Sequence, residues 1–363
     1  MKPIEHIDSI EYNFSGCENP ERLINYQDVY NFKKLRQYQS EAYDRLSSLA
    51  LKHKPRVIHS ASNFVVGMAG ARVAKDLGIQ SIYELRGFWH LTQSTKREGY
   101  ENSDHYKLSE RFEIETAKNS DYVFAITNAV KEVLVENGVE EEKIFILPNA
   151  VDSEKFKFLE ADESLKRELG IEDKTVIGYV GSFVEYAGLD LLLEACAMLK
   201  ERHGDVFKLL LVGDGDTMQL LRRTARFLQL EDMVIFTGRV PHEEVQRYYS
   251  LIDIAPLPRK GLRVCELVSP LKPFEAMGAG KVLVTSSVRA LEEIVQDGVT
   301  GLVFEKDNAA DLAEKLELVL LDSPLRKKIG ANANKWVQEK HSWNVISESC
   351  LLYTSELPTK RIV

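Results

Sequence analysis

Short β-branched apolar runs alternate along this chain with longer stretches whose apolar residues recur three and four positions apart. Those two periods separate strands from helices. RVIHS (56–60), QSIYEL (80–85), DYVFAI (121–126) and KIFILP (143–148) read as buried strands. NFVVGMAGARVAKDLG (63–78) and YKLSERFEIETAKN (106–119), lying between them, read as amphipathic helices. A second series of strands starts at TVIGYVGS (175–182). It runs through FKLLLVGDG (207–215), MVIFTG (233–238), IDIAPL (252–257), KVLVTSS (281–287) and TGLVFE (300–305), again with helices between. Strand and helix in alternation predict parallel sheets wrapped by helices, and two series predict two doubly wound α/β domains.

The turn-rich LPNAVDSEKF (147–156) separates the series, giving a first domain over 1–152 and a second over 153–341. A polar helix, ESLKRELG (163–170), leads into the second domain. An amphipathic segment, SWNVISESCLLYTSEL (342–357), follows it and has the pattern to fold back onto the first. A doubly wound domain opens with a strand running into a glycine-rich turn. Before Gly67 the chain has only Gly16, inside FSGCENP, and residues 20–53 read as polar helix. The first domain is therefore expected to lack its opening strand–turn–helix unit, either because the chain continues upstream or because this half is built differently.

Length agrees with two domains, since 363 residues at roughly 150 per domain give about two. Lys and Arg number 47 against 56 Asp and Glu, a net charge of −9, which argues against a nucleic-acid binder with its basic face. The 44% apolar content suits a globular core, and no run of 18 apolar residues is present to span a bilayer. MKPIEHIDSIEYNF has no apolar run behind a basic patch, so it is not a secretory signal. Cysteines 17, 196, 265 and 350 make no C-x-x-C pair, which disfavours a disulfide framework or a zinc site and fits a reducing, cytoplasmic setting.

The densest chemistry is RKGLRVCELVSPLKPFEAMGAGKVLVTSS (259–287). Ser269 before Pro270 predicts a capped helix start, because proline's missing N–H costs nothing in the first turn. Free amides and the helix dipole at such a start suit a phosphate. Lys272 opposes the dipole there, so it points to an anionic partner. Glu275, three residues on, shares its face and has the chemistry to accept from ribose hydroxyls; an isolated Lys–Glu pair of this kind is ordinarily a surface pair. Arg259, Lys260 and Arg263 put three more cations near a strand's carboxyl end, where open sheets bind ligands.

SPLKPFEAMGAGK, together with VGS, VGDG, FTGRV and the PNAVD turn, resembles the retaining glycosyltransferases of family 4, of bacterial surface-glycan type. The resemblance runs from about His59 to Trp343 and is strongest over 175–305. It implies the GT-B fold, two Rossmann-like domains facing a cleft, with a nucleotide sugar held mainly by the second and the acceptor mainly by the first. It implies that Glu275 holds the donor ribose, that Gly238, Arg239 and Val240 read the base, and that Gly181 and Ser182 lie over the phosphates. Lys272 would stand by the diphosphate, and Glu266 matches the earlier member of a glutamate pair. Two departures stand out. Eight residues separate Glu266 from Glu275, where the family has seven. Ala187 stands where many relatives have lysine, a charge that Arg259, Lys260 or Arg263 would replace. In the first domain Arg86 takes the place of the relatives' sugar-side histidine. His59 and Glu84 lie at neighbouring strand ends, and all three are expected on the acceptor side. An arginine there can hold a phosphate or hydroxyl but cannot act as a base.

The expected partners are a nucleotide-sugar donor, UDP-linked by the resemblance, and a glycan or lipid-linked saccharide acceptor. No bound metal or other cofactor is expected. DGD (214–216) matches a metal-binding string of a different glycosyltransferase fold, yet its place after LLLVG favours a turn, and Met218 breaks the dinucleotide-binding glycine pattern. KHKPR (52–56) reads first as a solvated helix end and second as a contact for anionic headgroups, a peripheral site at the inner face of the membrane. Phe88 and Trp89 suit either core packing or stacking on a sugar or lipid; His90 reads as a hydrogen-bonded structural histidine. Two other functions share the plan: a sugar-nucleotide epimerase, and a nucleotide-sugar-binding protein without catalysis.

Overall fold

The computed structural model describes the backbone of residues 4–7, 10–13, 32–158 and 160–355, and the side chains of 35–158 and 160–350. Two compact units emerge. One contains the chain up to Ala125 with Lys131–Ile146; the other takes Ile126–Val130 and the chain from Leu147 to Leu357.

In the first unit β1 (Ile4–Ile7) and β2 (Ile10–Asn13) pair antiparallel as a separate two-stranded sheet, an element the sequence reading had not assigned. Its main sheet is parallel and runs in simple sequence order: β3 (Val57–Ala61), β4 (Gln80–Leu85), β5 (Tyr122–Ala125) and β6 (Ile144–Ile146). Asn63 caps the Phe64–Leu77 helix by accepting from the Val65 amide, and left-handed Gly78 ends it. The long Phe32–His53 helix lies on that helix, with Ala50 meeting Ile58, Val73 and Ala74. The polar helix expected over 20–53 is thus present from Phe32; residues 20–31 lie outside the described residues.

The second unit has six parallel strands: β7 (Thr175–Val180), β8 (Phe207–Val212), β9 (Val234–Gly238), β10 (Ile254–Leu257), β11 (Val282–Ser286) and β12 (Gly301–Phe304). Their spatial order is β9-β8-β7-β10-β11-β12, the doubly wound 3-2-1-4-5-6 arrangement. Helices cover both faces, so the central strands are apolar throughout: Leu209, Leu210 and Leu211 are fully buried, each worth about 1.5–3 kcal/mol of transfer free energy. The Trp343–Ser355 helix belongs to this second unit and packs beside the Ser323–Lys340 helix. No helix among the described residues is long and apolar enough to cross a membrane.

Candidate functional site

In the six-stranded sheet the strand order reverses between β7 and β10. Chain leaving the ends of these two strands diverges to opposite faces and opens a crevice, the usual ligand position in such sheets. A cavity of about 240 Å³ lies there, lined by Tyr179, Ser182 and Tyr186 from the β7 side and by Arg259, Ser269 and Lys272 from the β10 side.

Two cations dominate this cavity. Arg259 is only 8% exposed; its Nη1 donates to the Val268 carbonyl at 2.6 Å and its guanidinium lies 5.6 Å from the Tyr186 ring centre. Lys272 Nζ stands 5.6 Å over the Tyr179 ring. Burial pushes the Lys272 ammonium below its ordinary pKa and Arg259 adds to the depression, with Glu275 offsetting only part. Among the described residues neither cation forms an ion pair; Arg259 meets the Tyr186 ring, the Val268 carbonyl and the Cys265 side chain, and Lys272 the Tyr179 ring. Buried positive charge in this state gains from an incoming anion.

Glycines make the geometry possible. A Cβ on Gly181, whose φ is +142°, would stand 2.0 Å from Lys272 Cε, so the lysine lies directly on bare backbone. Gly213, at φ +137°, lets the β8 turn approach the Gly181 carbonyl, where a Cβ would be 1.9 Å away. Further out, Lys260 Nζ binds Asp190 at 2.8 Å and the Gly261 amide donates to both Asp307 oxygens at 3.1 and 3.0 Å. These bonds pin the loop after β10, which holds Arg259 against the cavity.

Several sequence-based assignments change here. Ser269 does not cap a helix. The helix spans Lys272–Gly278, its cap position is Leu271, and no side chain closes it. The capping reasoning fits the second proline instead: Pro273 occupies the first turn, while Pro270 biases Ser269 away from helical geometry. Ser269 is 4% exposed and its carbonyl accepts from Asn149 Nδ2 at 2.9 Å. Lys260 is turned to Asp190 and is not among the cavity's lining residues. Arg263 and Glu266 lie on the short Arg263–Leu267 helix, also outside that lining. Glu266 accepts from the Arg289 amide at 2.9 Å and from Lys306 Nζ at 2.6 Å. Of the expected cations, Arg259 and Lys272 are brought together.

Glu275 lies one helical turn beyond Lys272, partly buried, and accepts from the Tyr249 hydroxyl at 3.1 Å. Burial raises its pKa, and Tyr249, Lys272 and His242 oppose that rise incompletely. Gly238 ends β9, and its carbonyl accepts from the Gly213 amide at 3.0 Å; Arg239 beyond it is exposed and Val240 half-buried. Aspartate 214 accepts from the Gly215 amide, so DGD is the turn after β8. Among the described residues no group of three or more His, Cys, Asp and Glu side chains is placed to hold a metal.

In the first unit Glu84 sits between His59 Nε2 at 2.9 Å and Arg86 Nε at 2.7 Å. Burial alone would raise its pKa, but the His59 and Arg86 hydrogen bonds win and lower it to about 2. His59, Glu84 and Arg86 therefore form one cluster at the ends of β3 and β4. His90 is buried against Phe88 and Tyr106, while Trp89 is 41% exposed. The KHKPR residues end the Phe32–His53 helix with exposed charges. Sequence reasoning missed the tyrosines 179, 186 and 249, and also Glu113, a 1%-exposed carboxyl bonded to the Tyr83 hydroxyl and the Phe64 amide. Burial raises Glu113 to about 7.

Models of two protein families match this chain: Glycosyltransferase Family 4 over residues 14–155 and Glycosyl transferases group 1 over 161–336. An uncharacterised glycosyltransferase of Methanocaldococcus jannaschii is 29% identical over 69% of the chain and 64% of its own length. A second from that organism is 25% identical over 96% and 90%. The chain thus spans a little under two thirds of the first and most of the second. Among solved structures, Anabaena HepE in complex with UDP superposes with a TM-score of 0.71 at 20% identity, covering 87% of this chain and 82% of that one. With both family models matched in order, over the two-sheet architecture expected of them, the chain belongs to the family 4 glycosyltransferases of GT-B fold.

Proposed function

We propose that this protein transfers a sugar, with retention of configuration, from a nucleotide-diphosphate sugar to a glycan or lipid-linked saccharide. The observation that carries the reading is the pair of cations, buried Arg259 and half-buried Lys272, lining the cavity at the switch point of the second unit. A leaving diphosphate develops negative charge, and preorganised donors in a site shielded from water meet that charge at little reorganisation cost. Arg259 offers a planar fork for phosphate oxygens and Lys272 a point charge. Because the helix behind Lys272 is short and uncapped, these side chains, rather than its amides, carry the assignment.

A UDP-linked donor is favoured because the structurally similar HepE binds UDP. In the proposed scheme the acceptor hydroxyl approaches the face that the diphosphate leaves, and a phosphate oxygen takes its proton. The bond from the anomeric carbon to the diphosphate breaks as the bond to the acceptor oxygen forms, with no protein nucleophile. Glu275 holds the ribose, Gly238–Val240 the base, and His59, Glu84 and Arg86 the acceptor. The family resemblance supports surface glycans as the acceptor class and a cytoplasmic setting.

The test is a panel of UDP-sugars, with GDP-sugars alongside, assayed by calorimetry and for UDP or GDP release. The reading predicts saturable binding that Lys272→Ala weakens by about 100-fold and turnover that persists in chelator. A folded protein that binds no member of the panel contradicts it. Interconversion of the donor sugar without acceptor would favour an epimerase instead.

A further inference from the structure

Tyr249 lies on the Val245–Leu251 helix, which follows the Arg239–His242 loop and packs against β7. It is 3% exposed and its ring meets Phe156 edge-on, centroids 5.7 Å apart. Aromatic contact on one side and sheet on the other leave the phenol little freedom, so its hydroxyl is a fixed donor. That donor is spent on Glu275 Oε2 at 3.1 Å. Burial, joined by the neighbouring carboxylate, pushes the phenol far above its ordinary pKa and keeps it protonated. A carboxylate accepts at both oxygens, and among the described residues Oε1 has no hydrogen-bond donor.

We propose that Tyr249 is a positioning residue for the donor: its hydroxyl holds one oxygen of Glu275 so that the other stays set to accept from the ribose hydroxyls of the nucleotide. An untethered glutamate has three side-chain torsions to order on binding, at a cost that a preset partner removes. In the first turn of the same helix, Lys272 would otherwise compete for the carboxylate, four residues of chain bringing both groups to one face. Tyr249 thereby separates two duties, leaving Lys272 for phosphate and Glu275 for sugar. The inference rests on Glu275 as the ribose-holding group, and the experiment distinguishes failure of either.

Calorimetry with UDP and with 2′,3′-dideoxy-UDP, on wild type, Tyr249→Phe and Glu275→Ala, reads the ribose contact directly. Tyr249→Phe is expected to weaken UDP by up to about tenfold, the cost of ordering the released Glu275 side chain on binding, while leaving the dideoxy analogue within about twofold. A residue that only supports the fold would weaken both ligands alike, and that outcome, or no change in either, overturns the proposal. Glu275→Ala should abolish the preference for UDP over its dideoxy analogue, and Tyr249→Phe added to it should cost UDP nothing more. Preference lost in Glu275→Ala but kept in Tyr249→Phe sinks the positioning role alone. Preference kept in Glu275→Ala sinks the ribose assignment and the positioning role with it. Melting curves for each variant check that the fold is kept.

Discussion

Both units end their parallel strands in charged side chains, yet the charges are treated in opposite ways. In the four-stranded sheet the order is sequential, so β3 and β4 are neighbours and their terminal residues reach each other. Glu84 is satisfied twice, by His59 and by Arg86. In the six-stranded sheet the order reverses between β7 and β10, and the chain ends part around a cavity. Arg259 and Lys272 face that cavity over tyrosine rings, without an ion pair among the described residues. Strand order thus decides whether charge at a sheet edge is compensated by the protein or held for a ligand.

The largest expected effect comes from removing a cavity charge. Lys272→Ala or Arg259→Ala should weaken UDP by about 100-fold, roughly the value of one buried charge-assisted contact. A change under threefold would erase the contrast between the units. Because burial lowers the Lys272 pKa in the free protein and a bound diphosphate would raise it, UDP affinity should fall as pH rises into the alkaline range, with proton uptake on binding. Calorimetry in buffers of different ionisation enthalpy checks the uptake. Next, Gly181→Ala should cost about tenfold in UDP affinity, since a methyl at φ +142° both strains the backbone and displaces the lysine.

Smaller effects test the compensated side. Glu84→Gln should leave UDP affinity within about twofold, while exposing any acceptor role as a change in turnover. The two unusual carboxyls of this unit give opposite pH signatures. Glu84, lowered to about 2, contributes stability that is present above its unfolded pKa and lost as pH falls through the acid range. Glu113, raised from the ordinary 4.5 to about 7, contributes stability that is full below its unfolded pKa, fades as pH rises from there through about 7, and is gone above it. Glu113→Gln should therefore flatten the fall of the melting profile between about pH 4.5 and 7 by a few degrees; a wild-type-like slope there would show that Glu113 is not its source.

Much of this was legible in the chain because it depends on period and order. Each of the ten parallel strands lies within or beside an apolar run, and the reversal at β7 and β10 follows from the doubly wound plan. The turn at DGD also followed from its place after a strand. The cavity's particular chemistry was less legible. Three cations near 260 looked equivalent, yet only Arg259 turns inward, because Asp190, 70 positions away, takes Lys260. Ser269-Pro270 marked the helix start too early: the helix begins at Lys272, and Asn149 claims the Ser269 carbonyl, a contact 120 positions away that local rules do not see. Tyr179 and Tyr186 carry no motif; an aromatic next to each glycine turn was the available signal. Glu113 carries no signal within its amphipathic helix; its burial comes from Tyr83, 30 positions away, whose hydroxyl bonds its carboxyl.

The central claim is that the second unit grips a diphosphate through Arg259 and Lys272. A crystal structure of the protein soaked with UDP tests it most directly. The account predicts phosphate oxygens within hydrogen-bonding reach of Arg259 and Lys272, between the ends of β7 and β10. Clear density for UDP elsewhere on the protein, with that cavity unchanged, would contradict it.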